Sequence, residues 1–197
     1  MCQCRLVISS EQSVALIAEA LKTRSELAKR TNVAKRKSYT DAKGRKRWVR
    51  NDEVAATVKQ LGEYLIIGGY PEEHAKRYAQ LAHAISRWPE SIDVPAREQR
   101  LNDIPGIGGV ITGYVTEIVN TGTTAKFDDN QYGPLPPRSV LELTAIERLG
   151  AKTARLLFQE QGIDSLAALC EAVEEGSLAG VKGIGPKMIE TIRGYCV

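Results

Sequence analysis

The chain has 197 residues, 43% of them hydrophobic and only 6% aromatic, which excludes a disordered chain and leaves a core of Ala, Leu, Ile and Val. No apolar run approaches the ~18 residues of a membrane span, and the first thirty residues lack a signal peptide's apolar stretch, so the expected location is the cytosol, or the nucleus in a eukaryote, with no membrane partner. The net charge of +3 is unevenly placed: residues 1–50 hold 13 Lys and Arg against 4 Asp and Glu, a net of +9, and the remainder holds 14 against 20, a net of −6.

In chain order, Ser9 and Gln12 have the spacing of a capping box, and Val14, Ile17, Ala18 and Leu21 follow at helical spacing, predicting a helix over about 10–30. A basic, polar stretch runs on to Arg50, densest at Lys43, Arg45, Lys46 and Arg47, with Trp48 available to stack. It reads as a DNA-contacting arm that would gain affinity by counterion release, or as a solvated linker. Asn51 or Asp52 is expected to cap the next helix, whose buried face is Val54, Val58, Leu61 and Leu65 and whose end is Gly68-Gly69. Pro71 suits the first position of another helix, with Ala75, Tyr78, Ala79, Ala82 and Ile85 as its apolar stripe and Trp88-Pro89 at its close. A short helical piece ends at Leu101. No convincing period-2 strand occurs, so the expected fold is all-α: two small helical modules with a basic N-terminal extension, divided as 1–50, 51–127 and 134–197.

The most informative pattern begins at Ile104-Pro105-Gly106-Ile107-Gly108, an apolar residue and then Gly-x-Gly between two helical patterns. The following helix has Ile111, Val115, Ile118 and Val119 at core spacing and ends at Thr121-Gly122. The same shape returns as Val181-Lys182-Gly183-Ile184-Gly185-Pro186-Lys187, followed by Met188, Ile189 and Ile192. A weaker copy lies between, Ile146-Glu147-Arg148-Leu149-Gly150-Ala151-Lys152, with Arg148 in place of the first glycine. Such repetition predicts helix-hairpin-helix units. Glycine permits the tight turn and a close phosphate, and the helix N-terminus behind it offers unpaired N–H groups and a positive dipole end. Gly106, Ile107, Gly108, Gly109, Leu149, Gly150, Gly183, Ile184 and Gly185 would present backbone to phosphates, and Lys152, Lys182 and Lys187 would add charge. Contacts of this kind position DNA without reading its sequence. A dinucleotide fingerprint is excluded, because no strand precedes Gly-Ile-Gly-Gly.

The motifs in order resemble the N-terminal part of family X DNA polymerases over roughly residues 51–195. Tyr78, Ala82 and Ile85 fit that family's second helix. Glu117-Ile118-Val119-Asn120-Thr121-Gly122 fits its helix ending Glu-Ile-x-x-Thr-Gly, and Pro134 to Pro137, Leu141-Glu-Leu, Gly150-Ala-Lys-Thr-Ala154 and Gly162-Ile-Asp-Ser-Leu166 follow as they do there. The resemblance implies a lyase-like domain at 51–127, an upstream-DNA clamp at 134–197, and a role in repair or replication on duplex or gapped DNA beside a separate polymerase or repair protein. It also implies K⁺ or Na⁺ on the backbone carbonyls of Ile104 and Ile107; no other cofactor is expected. The family's lyase nucleophile is a lysine where this chain has Tyr114, and a phenol forms no imine. Lys126 stands at a phosphate-binding lysine of the family and is the substitute amine of an alternative, lyase reading. No Asp-x-Asp strand of a polymerase palm occurs, so polymerase activity is not expected and no catalytic residue is assigned. Asp128-Asp129 falls in an expected loop and reads as solvated rather than metal-bound, His74 and His83 lack a helical metal spacing and read as surface or packing residues, and Cys2, Cys4, Cys170 and Cys196 read as free thiols. The net −6 over residues 51–197 keeps a third reading open, a protein-interaction scaffold.

Overall fold

The computed structural model describes residues 38–129, 131 and 135–196. The helix expected over 10–30, and Cys2 and Cys4, lie outside the described residues. Among those described, the chain is mostly helical.

From Ser38 on, the basic stretch before the first long helix is folded. Two short antiparallel strands, β1 (Ser38–Thr40) and β2 (Lys46–Trp48), pair with Tyr39 opposite Arg47. β1 is exposed throughout, so no hydrophobic alternation marks it in the sequence. The hairpin is closed by Asp41, whose carboxylate accepts the backbone N–H groups of Lys43 and Arg45 at 2.9 Å each and the Nε atoms of Arg45 and Arg47 at 3.0 Å each. Those donors, the Arg45 N–H foremost, hold the Asp41 carboxyl well below the usual carboxylate range.

Helix α1 (Val49–Ile67) buries Val54, Val58, Leu61 and Leu65, together with Tyr64 and Ile67. It begins before Asn51, which is not its cap. Asn51 is fully buried: its Nδ2 donates to the carbonyls of Trp88 (3.3 Å) and Glu90 (2.9 Å), and its Oδ1 accepts from Ile92 N–H at 2.7 Å. Helix α2 (Glu72–Ser86) starts one residue after Pro71 and buries Ala75, Tyr78, Leu81, Ala82 and Ile85; Ala79 faces outward instead. α1 and α2 approach closely at Gly62, where a Cβ would stand 2.7 Å from that of Tyr78. A short helix α3 (Asp93–Arg97) and a 3-10 turn (Leu101–Asp103) lead to α4 (Gly109–Thr121), which ends at left-handed Gly122.

Two further 3-10 segments (Ala125–Asp128 and Arg138–Ala145) connect to α5 (Ala151–Gln161), α6 (Leu166–Glu175) and α7 (Pro186–Arg193). The buried apolar residues of both halves form one continuous cluster. The Tyr64 hydroxyl donates to the Pro136 carbonyl at 2.6 Å, and its ring packs on Phe127 at 5.5 Å between centroids.

The cysteines depart from the free-thiol expectation: Cys170 on α6 and Cys196 beyond α7 are joined in a disulfide, with Cα atoms 5.7 Å apart. The pair lies 26 residues apart in sequence, and only the tertiary fold brings it together.

Candidate nucleic-acid interface

The three hairpins share one backbone. In each, the residue at the apex is left-handed: Gly106 (φ +92°), Arg148 (φ +67°) and Gly183 (φ +90°). The next residue turns its side chain into the core, as Ile107, Leu149 and Ile184 do, each less than one-tenth exposed. Its N–H closes the turn on the carbonyl three residues back, at 3.1 Å from Ile107 to Ile104, 3.0 Å from Leu149 to Ile146 and 3.0 Å from Ile184 to Val181. The third hairpin position, Gly108, Gly150 or Gly185, is extended and immediately precedes α4, α5 or α7. The copy that looked degenerate in sequence is therefore geometrically complete, with Arg148 accepting the conformation usually left to glycine.

This geometry refines which backbone groups can meet an anion. The N–H groups of Ile107, Leu149 and Ile184 are spent within the turns. The remaining donors belong to the first turns of α4, α5 and α7, none of which has a side-chain cap, but in α7 Pro186 brings no N–H and Met188 N–H already donates to the Gly185 carbonyl at 2.9 Å. At Gly108, Gly150 and Gly185 a Cβ would meet nothing within 4 Å, and the φ values near −83° to −100° suit any residue. The fold makes no demand for glycine there. What glycine does is keep the approach to each helix N-terminus clear.

The side-chain charges divide between hairpins. Lys182 and Lys187 are exposed at the third hairpin, and Lys152 is exposed on α5 with its Nζ 2.8 Å from Glu72. That contact, and Lys76 beside it, hold the Glu72 carboxyl below its ordinary value. The first hairpin has no Lys or Arg in the opening turn of α4, which runs Gly109, Val110, Ile111 with Val110 71% exposed. Its charge comes from Arg77 of α2 instead. Exposed His74 and Arg77 line a cleft of about 280 Å³ with Tyr70 and Tyr78, opening beside Gly106 and Gly108. Sequence reasoning treated His74 as a surface or packing residue and passed over Arg77; the signal for both was their i, i+3 spacing on the helix that packs beside the hairpin.

Lys126 lies in the same region but is not a free amine. Its Nζ donates to Asp129, and its backbone is held by a turn that Glu117 organises, accepting from Thr124 Oγ1 at 2.6 Å and Ala125 N–H at 2.9 Å. Burial of the Lys126 side chain lowers its pKa, but the Asp129 hydrogen bond and the nearby Tyr114 and Tyr70 oxygens outweigh burial, and the net direction is upward.

In the N-terminal hairpin, Lys43 is exposed and Arg45 is half-exposed, whereas Lys46 lies over the Trp48 ring at 4.4 Å. Arg47 departs from the arm expected of it: it is 7% exposed and paired with Asp41 at 3.0 Å. Trp48 donates its indole N–H to the Pro89 carbonyl at 3.0 Å.

Residues 140–193 match the model of the SAM-like helix-hairpin-helix tandem family. The match spans the second and third hairpins together, from the 3-10 segment before Ile146 to the end of α7. It supports a tandem helix-hairpin-helix module over these residues, a kind of module that binds nucleic acid. No curated protein matches the chain.

Proposed function

We propose that the protein is a sequence-independent DNA-binding protein that grips the phosphate backbone of duplex or gapped DNA in repair or replication. The observation that carries this reading is the threefold recurrence of one hairpin backbone, each copy delivering an uncapped, unobstructed helix N-terminus. The match of residues 140–193 supports it for the second and third hairpins. The order of motifs around the first hairpin, resembling family X DNA polymerases, supports extending it to residues 51–127 and supports a polymerase or repair protein as companion. In this reading K⁺ or Na⁺ on the carbonyls of Ile104 and Ile107 would bridge the first hairpin to a phosphate, and Lys43 and Arg45 would supply outlying charge.

The chemistry of Lys126 favours binding over lyase activity. An imine requires an unprotonated amine, and the Lys126–Asp129 pair favours the ammonium. The net −6 of residues 51–197 favours the scaffold as the second reading. The two are separated by titrating a fluorescent duplex, and the same duplex with a short gap bearing a 5′-phosphate, across a salt series. Two phosphates at each of two hairpins predict a log–log slope of about −4. Stronger binding to the gapped duplex supports the repair role. A duplex that stays unbound at low salt overturns the DNA reading in favour of the scaffold.

A further inference from the structure

The tandem module contains two grooves that its internal repeat makes equivalent in position but not in charge. Each is formed where the loop of one hairpin faces the first turns of the helix following the other. The first, about 610 Å³, sets Lys182 and Gly183 against Lys152, Thr153, Arg155 and Leu156 of α5. The second, about 720 Å³, sets Glu147 and Arg148 against Lys187, Met188, Glu190 and Thr191 of α7. Every residue named in one has its counterpart 35 positions away in the other.

The substitutions between these counterparts decide the charge. Where the second groove has Glu147, the first has Lys182; where the second has Glu190, the first has Arg155. The second groove thus balances Arg148 and Lys187 with two acids of its own, and Glu147 lies 3.8 Å from Arg148. The first groove has three cations and no acid from the tandem. Its one carboxylate, Glu72, comes from α2 and sits on Lys152 at 2.8 Å. Gly183 also lies close to Thr153: a Cβ at Gly183 would stand 3.3 Å from its Oγ1.

Resting on the DNA-binding reading, we infer that the Lys152–Arg155–Lys182 groove is the phosphodiester subsite of the tandem, and that Glu72 competes with the nucleic-acid phosphate for Lys152. The Arg148–Lys187 groove contributes less. Binding at the subsite exchanges an internal carboxylate for a phosphate, so it proceeds against the Glu72–Lys152 pair and is strengthened when that pair is removed.

The test is duplex titration of the full chain and its variants across salt, with a thermal melt of each. Glu72→Gln is expected to bind about threefold tighter at low salt, the scale of one exposed ion pair. Lys152→Gln, Arg155→Gln and Lys182→Gln should each weaken binding and make the salt slope shallower by about one. Arg148→Gln should remain within about twofold of the parent, less than one exposed ion pair is usually worth, and Lys187→Gln should cost less affinity than Lys152→Gln. In a Lys152→Gln background, Glu72→Gln should lose its effect, which a general loosening of the fold would not produce. Unchanged or weaker binding by Glu72→Gln, or losses at Arg148 and Lys187 equal to those at Lys152, would overturn the inference while leaving DNA binding intact. A parent chain that does not bind the duplex would overturn the DNA reading itself and this subsite with it.

Discussion

Arg148 and Gly183 hold the same left-handed apex in consecutive hairpins, at φ +67° and +90°. A side chain at such an angle costs about 1–2 kcal/mol. Arg148→Gly should therefore raise stability by about 0.5 kcal/mol, the relief of strain being partly offset by the unfolded-state entropy of glycine. Gly183→Ala should lower it by about 1–2 kcal/mol, since the backbone penalty is joined by the push against Thr153 Oγ1. Paired thermal melts check both signs. A destabilised Arg148→Gly would mean that the arginine side chain contributes more to the fold than its exposed position indicates.

The glycines that precede α4 and α7 behave differently. Gly108→Arg and Gly185→Arg enter open space at ordinary φ, so each should melt within about 0.5 kcal/mol of the parent. Gly108→Arg should nevertheless weaken duplex binding on the order of tenfold by filling the approach to a helix N-terminus, despite adding a positive charge, and Gly185→Arg, which lines the weaker groove of the tandem, should weaken it less. The contrasting variant is Lys43→Gln/Arg45→Gln, which removes exposed charge from the N-terminal hairpin and should affect affinity less. Truncation would be a poorer control, because Trp48 is bonded to Pro89 and Arg50 to the Val119 carbonyl. If the hairpin glycines tolerate arginine and the Lys43/Arg45 change abolishes binding, the basic extension is the DNA-binding element.

Asn51 joins the start of α1 to the loop after α2 by three hydrogen bonds and is fully buried. Asn51→Ala should cost about 2–4 kcal/mol by orphaning the Ile92 N–H and two carbonyls, read as a drop in denaturation midpoint. A loss no greater than about 1 kcal/mol would indicate that water replaces the side chain.

The same residue shows where sequence reading stopped. Asn at the front of a helical pattern reads as a cap, because capping is local; Asn51 reaches residues about forty positions away, and nothing in its neighbourhood encodes that. The hairpins were legible for the opposite reason. Their apolar and glycine positions answer local demands of turn and core, and the repeat made them visible three times. Arg148 was read as damage to the motif, although arginine can take the left-handed conformation at modest cost. The strands at Ser38–Thr40 and Lys46–Trp48 carry no periodicity because a carboxylate, Asp41, holds them rather than a buried face. The Glu72–Lys152 contact was invisible for want of any sequence pattern linking α2 to α5.

The Cys170–Cys196 bridge ties α6 to the chain beyond α7 and so secures the third hairpin from behind. A loop of this length is worth about 3 kcal/mol in chain entropy. Cys170→Ser should lower the melting temperature in non-reducing buffer and match the parent once both are reduced. Equal melts under oxidising conditions would mean that the bridge adds nothing to stability. Duplex affinity at low temperature should change little, because neither cysteine lines the cationic groove.

Lys126 provides the sharpest test between binding and catalysis. With Asp129 present, its amine stays protonated through neutral and mildly alkaline pH, so borohydride should trap no adduct between the parent chain and an abasic 5′ end. Asp129→Asn removes the strongest interaction that raises this pKa and leaves burial, which lowers it, less opposed. The amine should then become reactive at lower pH, read as faster reductive methylation of Lys126 and, with abasic DNA, as a weak trapped band that Lys126→Ala removes. Efficient trapping by the parent chain, lost in Lys126→Ala, would instead establish the lyase reading and make Asp129 the group that accepts the ammonium proton. If Asp129→Asn is no more reactive than the parent, neighbouring Tyr114 and Tyr70 are enough to keep the ammonium, and the lysine serves only as a fixed charge beside the first hairpin.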